Sequence, residues 1–153
     1  TWAADSKIDL LPGGDNFKPA AGTYDVYFNP FLPAAYFMAA GAAAPAVPET
    51  WGIVGTINGW GGDKLDWGLN LDADGKYWVA KNVTLKADEE IKFRFKHDWT
   101  DNLGGEFAVD SAISLTAGGA NMKTTEGTFD IYLDVAASKA YIMTAGKTPA
   151  DAN

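Results

Sequence analysis

Ile91-Lys92-Phe93-Arg94-Phe95-Lys96 alternates apolar and basic residues without interruption. Successive side chains of an extended chain point to opposite sides, so Ile91, Phe93 and Phe95 share one face while Lys92, Arg94 and Lys96 share the other. No helical period fits that order, and the acidic turn Asp88-Glu89-Glu90 delivers the chain into it. The reading extends outward on both sides. Upstream, Trp51-Gly52-Ile53-Val54-Gly55-Thr56-Ile57 is a short apolar strand closed by Asn58-Gly59. Asp72-Ala73-Asp74-Gly75 is a turn that leads into a strand over 77–85. In that strand Trp78, Ala80 and Asn82 are expected on one face and Tyr77, Val79, Lys81 and Val83 on the other. Downstream, Phe107-Ala108-Val109, 112–115, 128–135 and 139–144 supply further strands. The pattern predicts an all-β fold, an antiparallel β-sandwich of immunoglobulin-like type, with Trp51 and Trp78 filling its core.

The chain also repeats itself. Residues 1–41 align with 106–146 at a constant offset of 105, without a gap and with 18 identities in 41 positions. Asp5-Ser6 falls on Asp110-Ser111, Gly13-Gly14 on Gly118-Gly119, Asp25 on Asp130, Tyr27 on Tyr132 and Met38 on Met143. Such density marks a tandem duplication. The expected organisation is the C-terminal half of one module at 1–41, a proline-containing linker at 42–47, a complete module at 48–146 and a tail at 147–153. A free half-sandwich exposes its inner face and its strand edges. The sequence therefore predicts either a cleaved or truncated product, or a half-module that exchanges strands with another chain through 1–41.

Composition narrows the function. A net charge of −8 opposes binding to nucleic acid, where clustered Lys and Arg must neutralise phosphates. A neutral sugar polymer meets no such penalty. The chain has no cysteine, so disulfides, thiolate catalysis and Cys-based zinc sites are excluded. His97 is the single histidine, which removes multi-His metal sites and leaves no Ser-His-Asp arrangement around it. Asp72, Asp74, Asp88, Glu89 and Glu90 all sit in turns, where solvated acids are ordinary, rather than flanking a cleft as in a glycosidase. Asp72-x-Asp74-Gly75 resembles the start of a calcium loop but lacks its closing Glu. No apolar run reaches the length of a membrane span.

What remains is an ordered set of aromatic and polar residues: Trp60 after Val54-Gly55-Thr56-Ile57-Asn58-Gly59, Lys92 in the alternating strand, Trp99 beyond it, and Asn121 in Gly118-Gly119-Ala120-Asn121. This set resembles starch- and glycogen-binding modules. The longer form Asp98-Trp99-Thr100-Asp101-Asn102-Leu103-Gly104-Gly105 is similar to the SusE/SusF-like surface proteins of Bacteroidetes, which string such modules together from a lipid anchor on the outer membrane. The resemblance covers 48–146, and 1–41 through the duplication. It implies non-catalytic binding of a polysaccharide, an α-glucan such as starch, at the cell surface. It further implies no cofactor, an outer-membrane glycan transporter complex as partner, and contact with the membrane only through an anchor outside this chain.

The chemistry agrees with that resemblance. Sugar rings carry an apolar C–H face that stacks on indole, while their hydroxyls need donors and acceptors. Trp60 and Trp99 would form the platform, shaped by the 61–68 loop, Lys92 would donate to hydroxyls, Asn121 would donate and accept, and Trp67 would extend the platform from the variable loop 63–70. Asn102 and Gly104-Gly105 read as turn architecture. Two other readings stand beside this one: a structural or strand-exchanging module without a sugar site, and the accessory module of a secreted glycosidase.

Overall fold

The computed structural model describes residues 2–10, 14–29, 34–45, 49–62 and 66–153. Gly13, residues 46 and 47 of the expected linker, Pro48 and the centre of the 61–68 loop lie outside them. The chain divides into two compact units, Thr1–Pro48 and Glu49–Asn153. Both are β structures with antiparallel strand pairing.

The N-terminal unit is a three-stranded sheet of β1 (Lys7–Asp9), β2 (Tyr24–Asn29) and β3 (Ala34–Ala39), with β3 in the middle. Trp2, Phe17, Tyr24 and Phe37 pack edge to face on one side of it.

The C-terminal unit contains β4 (Trp51–Gly55), β5 (Trp67–Gly68), β6 (Asn70–Leu71), β7 (Trp78–Leu85), β8 (Glu90–Phe95), β9 (Asp98–Gly105), β10 (Ala112–Ala117), β11 (Met122–Lys123), β12 (Gly127–Asp134) and β13 (Lys139–Thr144). Strands run β5-β4-β8-β9-β10-β13-β12-β7-β6, with β11 also beside β8. The first half of β10 pairs with β13 and its second half with β9, so one strand belongs to two sheets and turns the corner between them. On the other side, the buried Leu69 carries the chain across from β5 to β6. The result is a sandwich closed towards a barrel. Between its sheets lie Ile53, Leu69, Val83, Leu85, Ile91, Phe93, Met122, Ile131, Leu133 and Ile142, with Trp51 among them and Trp78 packed against them. That apolar interior is the main source of stability.

Three expectations are corrected. The strand over 77–85 does not alternate evenly: Ala80 pairs with Ile131 but Val83 with Phe129, a β-bulge at which Asn82 takes φ 55°. The extra residue switches the phase, so Ala80 and Val83 both reach the core instead of opposite faces. Asn102 and Gly104-Gly105, read as turn architecture, belong to the strand β9, held between β8 and β10. Its glycines are there for close approach, since a Cβ on Gly104 would run into the carbonyl of Ala120. Phe107-Ala108-Val109 forms no strand. It crosses beside the core, with one bridge from Val109 to Ile142 and the Phe107 ring on Phe129.

The tail at 147–153 docks on the module. Lys147 binds Asp110 at 2.6 Å, Tyr132 donates to the Lys147 carbonyl at 3.2 Å, and the Asn153 amide donates to the Asp110 carbonyl at 2.9 Å.

Candidate functional site

The site grows from the end of β4. There the chain enters a short 3-10 segment, Thr56–Gly61, that packs back on β4 and β8. Asn58 pins it: its side-chain oxygen accepts the amide of Gly55 at 2.9 Å, and its amide donates to the carbonyl of Ile53 at 2.9 Å. Gly59, Trp60 and Gly61 then follow one another in the left-handed region, at φ 63°, 59° and 72°. For a bulky L residue that conformation costs on the order of 1–3 kcal/mol. The two glycines spare the chain any such cost on either side. A Cβ on Gly61 would also strike the guanidinium of Arg94, so this backbone lies directly on that side chain.

The strained turn sends the indole of Trp60 towards β9. It meets Trp99 with ring centroids 6.1 Å apart and planes inclined by 35°. Trp99 is held from its own side. The β8–β9 hairpin turns through Lys96 and His97, both left-handed at φ 55° and 57°, as a two-residue primed turn requires. Asn102 donates its side-chain amide to the Trp99 carbonyl at 2.8 Å. The Arg94 guanidinium lies 4.8 Å from the Trp99 ring centre, a cation–π contact that backs one side of the indole. Neither tryptophan belongs to the core: Trp60 is half-buried, and Trp99 is 45% exposed.

Beneath the rings is a buried ion pair. Arg94 Nε and one terminal nitrogen donate to the two oxygens of Asp66 at 2.6 and 2.7 Å, with both side chains almost wholly enclosed. This two-pronged geometry fixes the guanidinium plane. Burial pushes the Asp66 carboxyl up, but His97 and Arg94 outweigh it and hold the group below its ordinary value. Arg94 is the firmer partner. His97 Nδ1 stands 3.4 Å from an Asp66 oxygen, near enough for attraction when protonated, yet it is enclosed without a hydrogen bond. Asn102 Oδ1 is a second enclosed polar atom lacking one.

Lys92 sits two positions before Arg94, on the same outer face of β8 and opposite Val54. It does point away from the core, but it is not the solvated strand lysine that alternation alone suggests. It is only 8% exposed, it makes no hydrogen bond or ion pair among the described residues, and burial pulls its pKa down. The 3-10 segment packs against β8 on either side of this position: Thr56 Oγ1 accepts the Glu90 amide at 3.0 Å, and Gly61 lies on Arg94.

Asn121 is exposed at the other end of β8 and donates to the Glu90 carboxylate at 3.0 Å. Glu90, Lys92 and Arg94 are alternate residues of one strand, so they line a single face about 13 Å long. Trp60, Lys92, Trp99 and Asn121 thus gather along this face. Trp67 does not join them. It lies in β5, paired with Ile53 at the sheet's edge, and is 38% exposed there. Sequence reasoning passed over Asp66, Arg94 and Asn102 as site residues. The alternation of β8 did place Arg94 beside Lys92, but nothing local marks Asp66.

Among the described residues, no group of three or more His, Asp or Glu is placed to hold a metal ion, and no helix is long and apolar enough to cross a membrane. No protein-family model and no curated protein matches the chain.

Proposed function

We propose that the C-terminal unit is a non-catalytic carbohydrate-binding module that takes an α-glucan such as starch on the outer face of β8. The observation that carries this reading is the Trp60–Trp99 pair, two inclined indoles at the surface, with the amine of Lys92, which has no partner among the described residues, on the same sheet face. A sugar presents apolar C–H surface to such rings and hydroxyls to their margin. Lys92 is mostly enclosed by its neighbours, and that burial lowers its pKa. A ligand hydroxyl can accept from its ammonium group, which donates and cannot accept. Asn121 offers a free carbonyl oxygen further along the face, its amide being engaged by Glu90. The left-handed Trp60 supports the same view, because backbone strain concentrates at ligand sites. With this reading goes a cell-surface role on the outer membrane, through an anchor outside this chain, beside a glycan transporter complex.

Affinity electrophoresis through amylopectin, dextran, xylan and levan tests it. Amylopectin is expected to retard the protein. Trp60→Ala and Trp99→Ala should each weaken binding by about 1–3 kcal/mol, the loss typical of an aromatic anchor. Unchanged retardation in the double variant would retire the site, and no retardation by any of the four would retire the function.

A further inference from the structure

The two units share one construction. The pairings Lys7↔Tyr36 and Ile8↔Ala35 recur as Ala112↔Tyr141 and Ile113↔Ala140, and the whole β2–β3 register from Tyr24↔Ala39 to Asn29↔Ala34 recurs between β12 and β13. The side-chain bonds recur too. Asp5 accepts the Ala39 amide at 2.7 Å as Asp110 accepts that of Thr144 at 2.8 Å, and Asp25 accepts the Gly41 amide at 2.9 Å as Asp130 accepts that of Gly146 at 2.9 Å. Even the aromatic contact Trp2–Tyr24 has its counterpart in Phe107–Phe129.

Against that identity the differences stand out. Ile131 and Leu133 are 0% exposed, whereas the residues in their places, Val26 and Phe28, are 59% and 63% exposed. The outer edge of β12 pairs with β7, while among the described residues no strand pairs with that edge of β2. The second oxygen of Asp130 accepts the amide of Asn82 from β7 at 3.0 Å, whereas that of Asp25 accepts nothing among the described residues. An apolar face, a strand edge and an acceptor are all left open, and in the complete module one segment, 49–105, fills all three.

We infer that the N-terminal sheet is a docking surface for a polypeptide segment of the same kind as residues 49–105. It would add a strand to the free edge of β2, donate an amide to Asp25 and lay a second sheet across Val26 and Phe28. Such completion buries both the edge and the apolar face at once. A segment meeting this surface carries smaller inward residues than 49–105 where it faces Phe28, which replaces Leu133.

The test extends the full chain with a copy of 49–105 joined directly ahead of Thr1, reproducing the Gly105–Glu106 junction. A second version carries Val26→Ile and Phe28→Leu, which recreate the inner face of the complete module. Hydrogen exchange of the β2 amides is the readout. At least one extended version should slow their exchange on the order of a hundredfold relative to the 153-residue chain. Phe28→Asp in that version should restore fast exchange. Exchange equally fast in both extended versions would overturn the inference. So would sedimentation of the unextended chain as a stable dimer with β2 protected, which would put a second copy on this face.

Discussion

The same three strands occur twice in this chain with the same registers, and only one set lies inside a closed sandwich. The part that repeats is scaffolding. The part present once, 49–105, supplies the opposing half of the core as well as Trp60, Asp66, Lys92, Arg94 and Trp99. Identical local pairing therefore does not bring identical energetics. What a residue contributes depends on whether something faces it across about 10 Å of sheet-to-sheet space.

Substitutions at matched positions sharpen this contrast. The largest effect belongs to the half that is present once. Asp66→Asn leaves the buried Arg94 charge without its partner and should cost the C-terminal unit about 3–5 kcal/mol, read by chemical denaturation of the full chain. A loss as small as that of an exposed pair would mean that Arg94 reaches water. Next comes the paired comparison. Leu133→Ala should cost about 2–5 kcal/mol, while Phe28→Ala, its counterpart in the open sheet, should stay within about 0.5 kcal/mol. Equal costs would break the comparison, because they would show that the N-terminal face is covered.

Smaller effects separate binding from stability. Lys92→Met replaces a mostly enclosed amine with an apolar chain of similar length, so the free module should stay within about 0.5 kcal/mol of the parent while losing affinity at the proposed glucan site. Calorimetric melting and affinity electrophoresis of the same sample would check both. A variant that loses stability would point to a structural lysine. Acid acts last and most gradually. Asp66 and Asp130 are held below their ordinary value of 3.8, so their stabilising contribution is complete above that pH and fades as pH falls through the lower folded values. Melting temperature should therefore decline below pH 4, and Asp66→Asn should flatten that decline. An unchanged slope would assign acid sensitivity to other carboxylates.

The sequence made the fold class and the duplication legible because both are written in local pattern. The alternation over 91–96 gave the inward face of β8 correctly, and Ile91 and Phe93 are fully buried. Alternation reports direction, however, not cover. It could not show that the 3-10 segment packs against β8, or that Lys92 and Arg94 are buried rather than solvated charges. β9 escaped notice because its residues are mostly polar or glycine, and it earns its place by pairing on both edges rather than by an apolar stripe. Asn82 hid the bulge, since an asparagine in a strand looks the same whether it continues the pleat or interrupts it. At the site, Trp60 and Trp99 were readable as aromatics lying just beyond two strands. Trp67, read as a loop aromatic, instead lies in the short strand β5 at the sheet's edge. Asp66 was invisible because its partner is distant in sequence.

The left-handed Trp60 has a consequence for anyone who evolves this protein in the laboratory. Glycine at that position would relax the main chain and delete the ring in a single step. A library screened for heat resistance alone would thus be drawn towards molecules that melt later and lack the proposed glucan platform. Only a screen that also demands retention of polymer would keep the indole in place.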